Sequence, residues 1–125
     1  MLGSYDSSAI VAVRDLDRAR AFYADVLGLD SEADEGTGVL LFKTGATTPV
    51  VYPSEEAGTN RANAVVFSGI EDLDAVVDAL RERGVTFEHY DLPGLTLDGD
   101  VHRHGDDGLV WFKDPDGNLI HLNTL

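Results

Sequence analysis

The 125-residue chain contains no cysteine. Disulfides, thiolate metal sites and cysteine nucleophiles are therefore excluded, and a reducing compartment, the cytoplasm, is the expected setting. Basic residues are scarce: 9 Lys and Arg stand against 23 Asp and Glu, a formal charge of −14. The acids occur in both halves instead of forming a tail. Such a field repels phosphate backbones and anionic membranes, so neither nucleic acid nor a membrane surface is an expected partner. No apolar run approaches the roughly 20 residues needed to cross a bilayer. Met1–Ser8 lacks the basic flank and apolar core of a signal peptide. There is no Gly-x-Ser-x-Gly elbow for a nucleophilic serine, and no glycine-rich strand-to-helix loop for nucleotide phosphates.

What the chain does have is a repeat. Ala9–Val13 is rich in β-branched residues and reads as a buried strand. An aspartate that can cap a helix follows, in Arg14-Asp15-Leu16-Asp17. Leu16, Ala19, Phe22, Tyr23 and Val26 then recur at helical spacing, and Gly28 stops the helix. The same order returns later. Ala64–Phe67 is strand-like, Glu71-Asp72-Leu73-Asp74 parallels the first helix start 57 residues on, Leu73, Val76, Val77 and Leu80 form a second stripe, and Gly84 closes it.

Strand material follows each helix. The first half offers Val39–Lys43, Pro49–Tyr52 and a weaker strand near Ser31. The second offers Thr86–Tyr90, Val101–His104, Leu109–Lys113 and Leu119–Asn123. Gly36, Gly38, Gly45, Gly99, Gly105 and Gly108 read as turns, and Asp114-Pro115-Asp116-Gly117-Asn118 is the clearest turn of all. The expected fold class is α+β, one domain over 1–125. It comprises two βαβββ modules, approximately 7–60 and 61–125, whose curved mixed sheet surrounds a cleft. A ferredoxin-like domain has too few strands after each helix.

These residues carry a family resemblance. Val11 to Ala19 with Phe22-Tyr23 and Val26 to Leu29 resembles the opening module of the glyoxalase/bleomycin-resistance/dioxygenase (vicinal oxygen chelate) superfamily. Glu71-Asp72-Leu73-Asp74 through Val85 resembles its second module, and Trp111 to Ile120 its C-terminal hairpin. The resemblance implies a small-molecule cleft, often a homodimer, and in many members a divalent metal. The metal positions it implies are poorly filled here. They fall on Ser8, on Val65 or Ala64, on Thr47 to Val50 and on His121, so histidine 121 is the one evident donor where three or four are usual. No inherited metal and no cofactor are expected. His102 and His104, one residue apart on a strand, are a weaker alternative pair of donors, and as an edge hairpin they read more simply as solvent-facing.

The resemblance points His121 into the cleft. Alternation sets Leu119, His121 and Asn123 on one face and Ile120 and Leu122 toward the helices. His121 is thus the candidate ligand contact and catalytic base, its ordinary pKa being near neutrality. Tyr52, Glu88, Tyr90 and Trp111 complete the candidate ligand-binding set, and 91–100 reads as a loop over one cleft end. The expected partner is a small organic molecule, with a homodimer as the assembly. Three functions fit this pattern: a lyase or isomerase acting beside a carbonyl, a drug- or metabolite-sequestering protein, and a structural homodimer with a filled cleft.

Overall fold

The computed structural model describes residues 1–32 and 38–125. Gly36, expected at a turn, lies outside them. A 3₁₀ turn at Leu2–Ser4 precedes β1 (Ile10–Val13). The α-helix α1 (Leu16–Arg20) runs into a π-helical segment (Ala21–Val26), followed by β2 (Asp30–Ser31), β3 (Leu40–Lys43) and β4 (Val50–Pro53). The second half supplies β5 (Asn63–Phe67), α2 (Leu73–Glu82), β6 (Phe87–Glu88), β7 (Thr96–Asp98), β8 (Val101–His104), β9 (Asp107–Lys113) and β10 (Leu119–Asn123).

The first sheet has the order β1-β4-β3-β2, with β1 and β4 parallel and the rest antiparallel. The second repeats it as β5-β10-β9, again with the first and last strands parallel, but the outer position is divided. β6 pairs with the Phe112–Trp111 end of β9 and β8 with its Asp107–Leu109 end, and β7 is added beyond β8. The architecture is thus a mixed α+β fold of two curved sheets, each with a helix against one face. The segment expected to be a loop over 91–100 contributes a short strand, Thr96–Asp98.

Each helix begins where the repeat places it. Asp15 accepts from the Asp17 and Arg18 amides, and Asp72 from the Ala75 amide. The first helix departs from regular α geometry: Leu27 N–H reaches Phe22 O, an i→i+5 step. With that widening, neighbouring Phe22 and Tyr23 both pack inward, edge to face at 5.2 Å, against Phe112 and Phe42 respectively.

One core joins the halves. Val11, Val13, Tyr23 and Phe42 share a cluster with Leu73, Val77, Phe112, Ile120 and Leu122. The turn after β9 locks the halves together. The Asp114 carboxylate accepts the Tyr23 hydroxyl (2.8 Å), the Asn118 side-chain amide (2.8 Å) and the backbone N–H groups of Asp116 and Asn118. Asn118 also donates to Ala12 O on β1 (2.8 Å), and Asp116 takes Arg18 and the Arg14 amide. Gly117 has φ +88° there, which a side chain would resist. Gly108 corrects the turn expectation: it lies inside β9. A Cβ there would stand 2.9 Å from Leu73 Cδ2 and 3.1 Å from Val101 Cγ1, so glycine lets the sheet approach α2.

Candidate functional site

The face of the second sheet turned away from the helices carries an aromatic wall. Cross-strand pairing sets His121 of β10 opposite Trp111 of β9, and Glu88 of β6 opposite Trp111 on its other side. The rings of Trp111 and His121 stack with centroids 4.5 Å apart and planes 17° apart. Tyr90 meets Trp111 edge-on at 5.5 Å and lies over His102 at 6.2 Å, and His102 meets Trp111 edge-on at 4.9 Å.

His102 holds this wall in place. It is wholly buried, which overturns its reading as a solvent-facing edge residue. The Tyr90 backbone N–H donates to its Nε2 (2.9 Å), so Nδ1 carries the proton and donates to Leu109 O (3.2 Å). Neither nitrogen has a lone pair to offer a metal. His104, exposed, places Nδ1 3.0 Å from Gly94 O and ties the 91–95 segment to β8. The alternative donor pair is thus split between two structural tasks.

His121 is 8% exposed. Its Nδ1 donates to Val110 O (3.0 Å), and its Nε2 lies 3.1 Å from the Asn123 amide nitrogen, which donates to it. Burial holds its pKa below the ordinary histidine value, against the Val110 hydrogen bond, which pulls it up. The imidazole is therefore a neutral, fixed ring with both nitrogens engaged. Among the described residues, no group of three or more His, Asp or Glu could hold a metal ion. The positions implied by the resemblance offer Ser8, Val65 and this one engaged histidine, a set that does not fit a divalent cation.

Two hollows of about 400 Å³ each lie in front of the wall. One is lined by Gly58, Asn60, Arg61, Tyr90, Lys113, Gly117 and Leu119. The other takes Ala62, Asn63, Leu92 and Trp111 together with the shared Arg61, Tyr90 and Leu119. Adjoining through Arg61, Tyr90 and Leu119, they make up a shallow cleft, apolar and aromatic at its floor and cationic at one side, with Leu92 of the 91–95 segment at its margin.

The candidate residues distribute unevenly about this cleft. Tyr90 and Trp111 line it. His121 lies beside Trp111 as its stacking partner and is not among the lining residues. Glu88 pairs with Lys113 (3.3 Å) and faces a separate hollow beside Phe22, Val26 and Arg83. Tyr52 sits on the other sheet, opposite Ala12 of β1, and the fold does not bring it to these hollows. Arg61 and Lys113 are cleft residues that motif reasoning missed. Their scarcity was the available signal, since few cations exist in this chain to be placed anywhere.

Proteins of known structure share this fold. Residues 7–122 match the model of a family described as Glyoxalase/Bleomycin resistance protein/Dioxygenase superfamily. Among solved structures, a lactoylglutathione lyase from Agrobacterium tumefaciens superposes with TM-score 0.71 at 20% identity, covering 96% of this chain and 92% of that one. The fosfomycin resistance protein FosX from Mesorhizobium loti gives 0.69 at 16% identity, over 97% and 92%. An integron cassette protein from V. cholerae gives 0.63 at 21%, over 98% of each chain. At these identities the likeness is one of fold.

Proposed function

The chain belongs to the glyoxalase/bleomycin-resistance protein/dioxygenase superfamily, and we propose that it binds a small organic molecule in the cleft floored by Tyr90, Trp111 and Leu119. The observation that carries this reading is the paired hollows against a ring system that His102 and His121 flank from the neighbouring strands. Preorganised aromatic surface takes up flat or apolar ligands with little entropic loss. Open space of this size speaks against a cleft filled by side chains. The reading rests on shape and ring contact, since among the described residues no donor set fits a metal.

Trp111 is the only tryptophan, so its emission reports on this cleft alone. A screen of small flat fragments is expected to give saturable changes in Trp111 emission that EDTA leaves unaltered and that Tyr90→Ala weakens. A protein whose emission no fragment perturbs, or whose response EDTA abolishes, would refute the reading.

Sequestration is favoured over proton transfer. A catalytic version would use His121, which burial keeps in the neutral form a base requires. Its Nε2, however, already accepts from Asn123. His121→Gln therefore should alter ring packing more than any turnover. We further propose that the chain forms a homodimer through the outward residues Ile10 and Val66, exposed by 65% and 55% on the edge strands β1 and β5. Light scattering at micromolar concentration should give twice the mass of one chain.

A further inference from the structure

Resting on the cleft reading above, we infer that the ligand is an organic anion, a flat carboxylate or similar acid whose charged end meets Arg61 and Lys113. Acids outnumber bases 23 to 9 along the chain, yet the residues lining the two hollows include two cations and no acid. Arg61 borders both hollows and makes no ion pair or side-chain hydrogen bond among the described residues. Its guanidinium, with parallel N–H groups, is suited to a carboxylate.

Lys113 contributes the second charge from β9, two residues along from Trp111 on the same face. Glu88 partly offsets it at 3.3 Å, leaving the cleft side with a local excess of one positive charge. Tyr90 stands within the field of both groups. Burial raises its phenol pKa first, Glu88 adds to the rise, and Lys113 opposes it. The hydroxyl thus remains a donor at neutral pH. Arg61, Lys113 and the Tyr90 hydroxyl all offer protons, and Trp111 and Leu119 offer an apolar floor. A neutral amide would leave the cations without a counter-charge, and a cation would be repelled. The surrounding field of −14 makes this selectivity local, so the anion must be small enough for short-range contacts to outweigh long-range repulsion.

The test uses benzoate, benzamide and benzamidine, which share one ring and differ in charge, titrated into the intact protein at low salt with Trp111 emission as readout. Benzoate is expected to bind about two- to fivefold tighter than benzamide, the scale of solvent-exposed charge pairs, and benzamidine weakest. Arg61→Gln should collapse the benzoate–benzamide ratio toward one, whereas Glu88→Gln, which releases Lys113, should widen it. Quenching of Trp111 gives a measure independent of ligand fit: the iodide-to-caesium quenching ratio, divided by that of free N-acetyltryptophanamide, should exceed one despite the acidic surface, and Arg61→Gln combined with Lys113→Gln should bring it below one. Benzamide or benzamidine binding as well as benzoate, or a normalised iodide-to-caesium ratio below one in the unaltered protein, would overturn the inference while leaving the cleft reading in place. Silence of Trp111 toward all three ring compounds would overturn both.

Discussion

Asp114→Asn isolates the contact on which the geometry of the cleft depends. Oδ1 accepts two backbone N–H groups, from Asp116 at 2.9 Å and Asn118 at 2.8 Å. Those fixed donors require the new side chain to keep its amide oxygen on that side. Its NH₂ then faces the Tyr23 hydroxyl and the Asn118 side-chain amide, both of which donate to Oδ2 in the native protein. The hydroxyl can rotate and accept instead. The Asn118 amide cannot, because its orientation is also set by its bond to Ala12 O. One charge-assisted hydrogen bond is lost and one buried donor is left facing another, a loss of about 2–4 kcal/mol. For a chain of this length that corresponds to a fall in Tm of about 8–15 °C. Tyr23→Phe removes one donor from an oxygen that keeps another, and should be milder at about 1–2 kcal/mol. Urea unfolding followed by Trp111 emission measures both. Because Lys113, Gly117 and Leu119 flank the same turn and line the cleft, Asp114→Asn should also weaken fragment binding. An Asp114→Asn protein within about 0.5 kcal/mol of the original would mean that the Asp114 contacts do not hold the turn, since surface substitutions commonly fall in that range.

Three further outcomes concern Tyr23, His121 and Gly108. Burial, with Asp114 beside it, raises the Tyr23 phenol pKa above its unfolded value near 10. The unfolded chain therefore loses that proton first, and stability should fall as pH rises beyond about 10, a slope that Tyr23→Phe removes in alkaline urea titrations. The sign is opposite for His121. Its folded pKa is depressed, so its contribution is complete above the unfolded value of about 6.5 and declines as pH falls through and below it. His121→Gln should flatten the acid limb of a stability–pH profile relative to the original protein. Gly108→Ala pushes a methyl toward Leu73 and Val101 and should destabilise by about 1–3 kcal/mol, read as a lower urea midpoint.

Local rules made much of the fold legible. Asp15 and Asp72 announce the helix starts because a carboxylate caps free amides in any context, and Gly28 and Gly84 adopt the positive φ that ends each helix. Alternation along β10 separates Ile120 and Leu122 in the core from His121 beside Trp111. Tertiary proximity hid the rest. Gly108 resembles a turn glycine until α2 packs against it. His102 looks like a polar hairpin residue until Tyr90 and Leu109 supply partners for both its nitrogens. The π-helical step leaves the helical spacing of apolar residues intact in the sequence and changes only where they point. Arg61 belongs to no motif, and its place in the cleft emerges only when the segment before β5 meets Tyr90 and Leu119.

The most direct test of cleft binding is an amide and indole chemical-shift map of the ¹⁵N-labelled protein titrated with a fragment that changes Trp111 emission. With the ligand in the cleft, the Trp111 indole N–H should move furthest, with the amides of Asn60 to Asn63, Tyr90 and Leu119. Shifts centred instead on the separate apolar hollow at Leu27, Phe67 and Leu122, with the Trp111 indole unmoved, would contradict cleft binding.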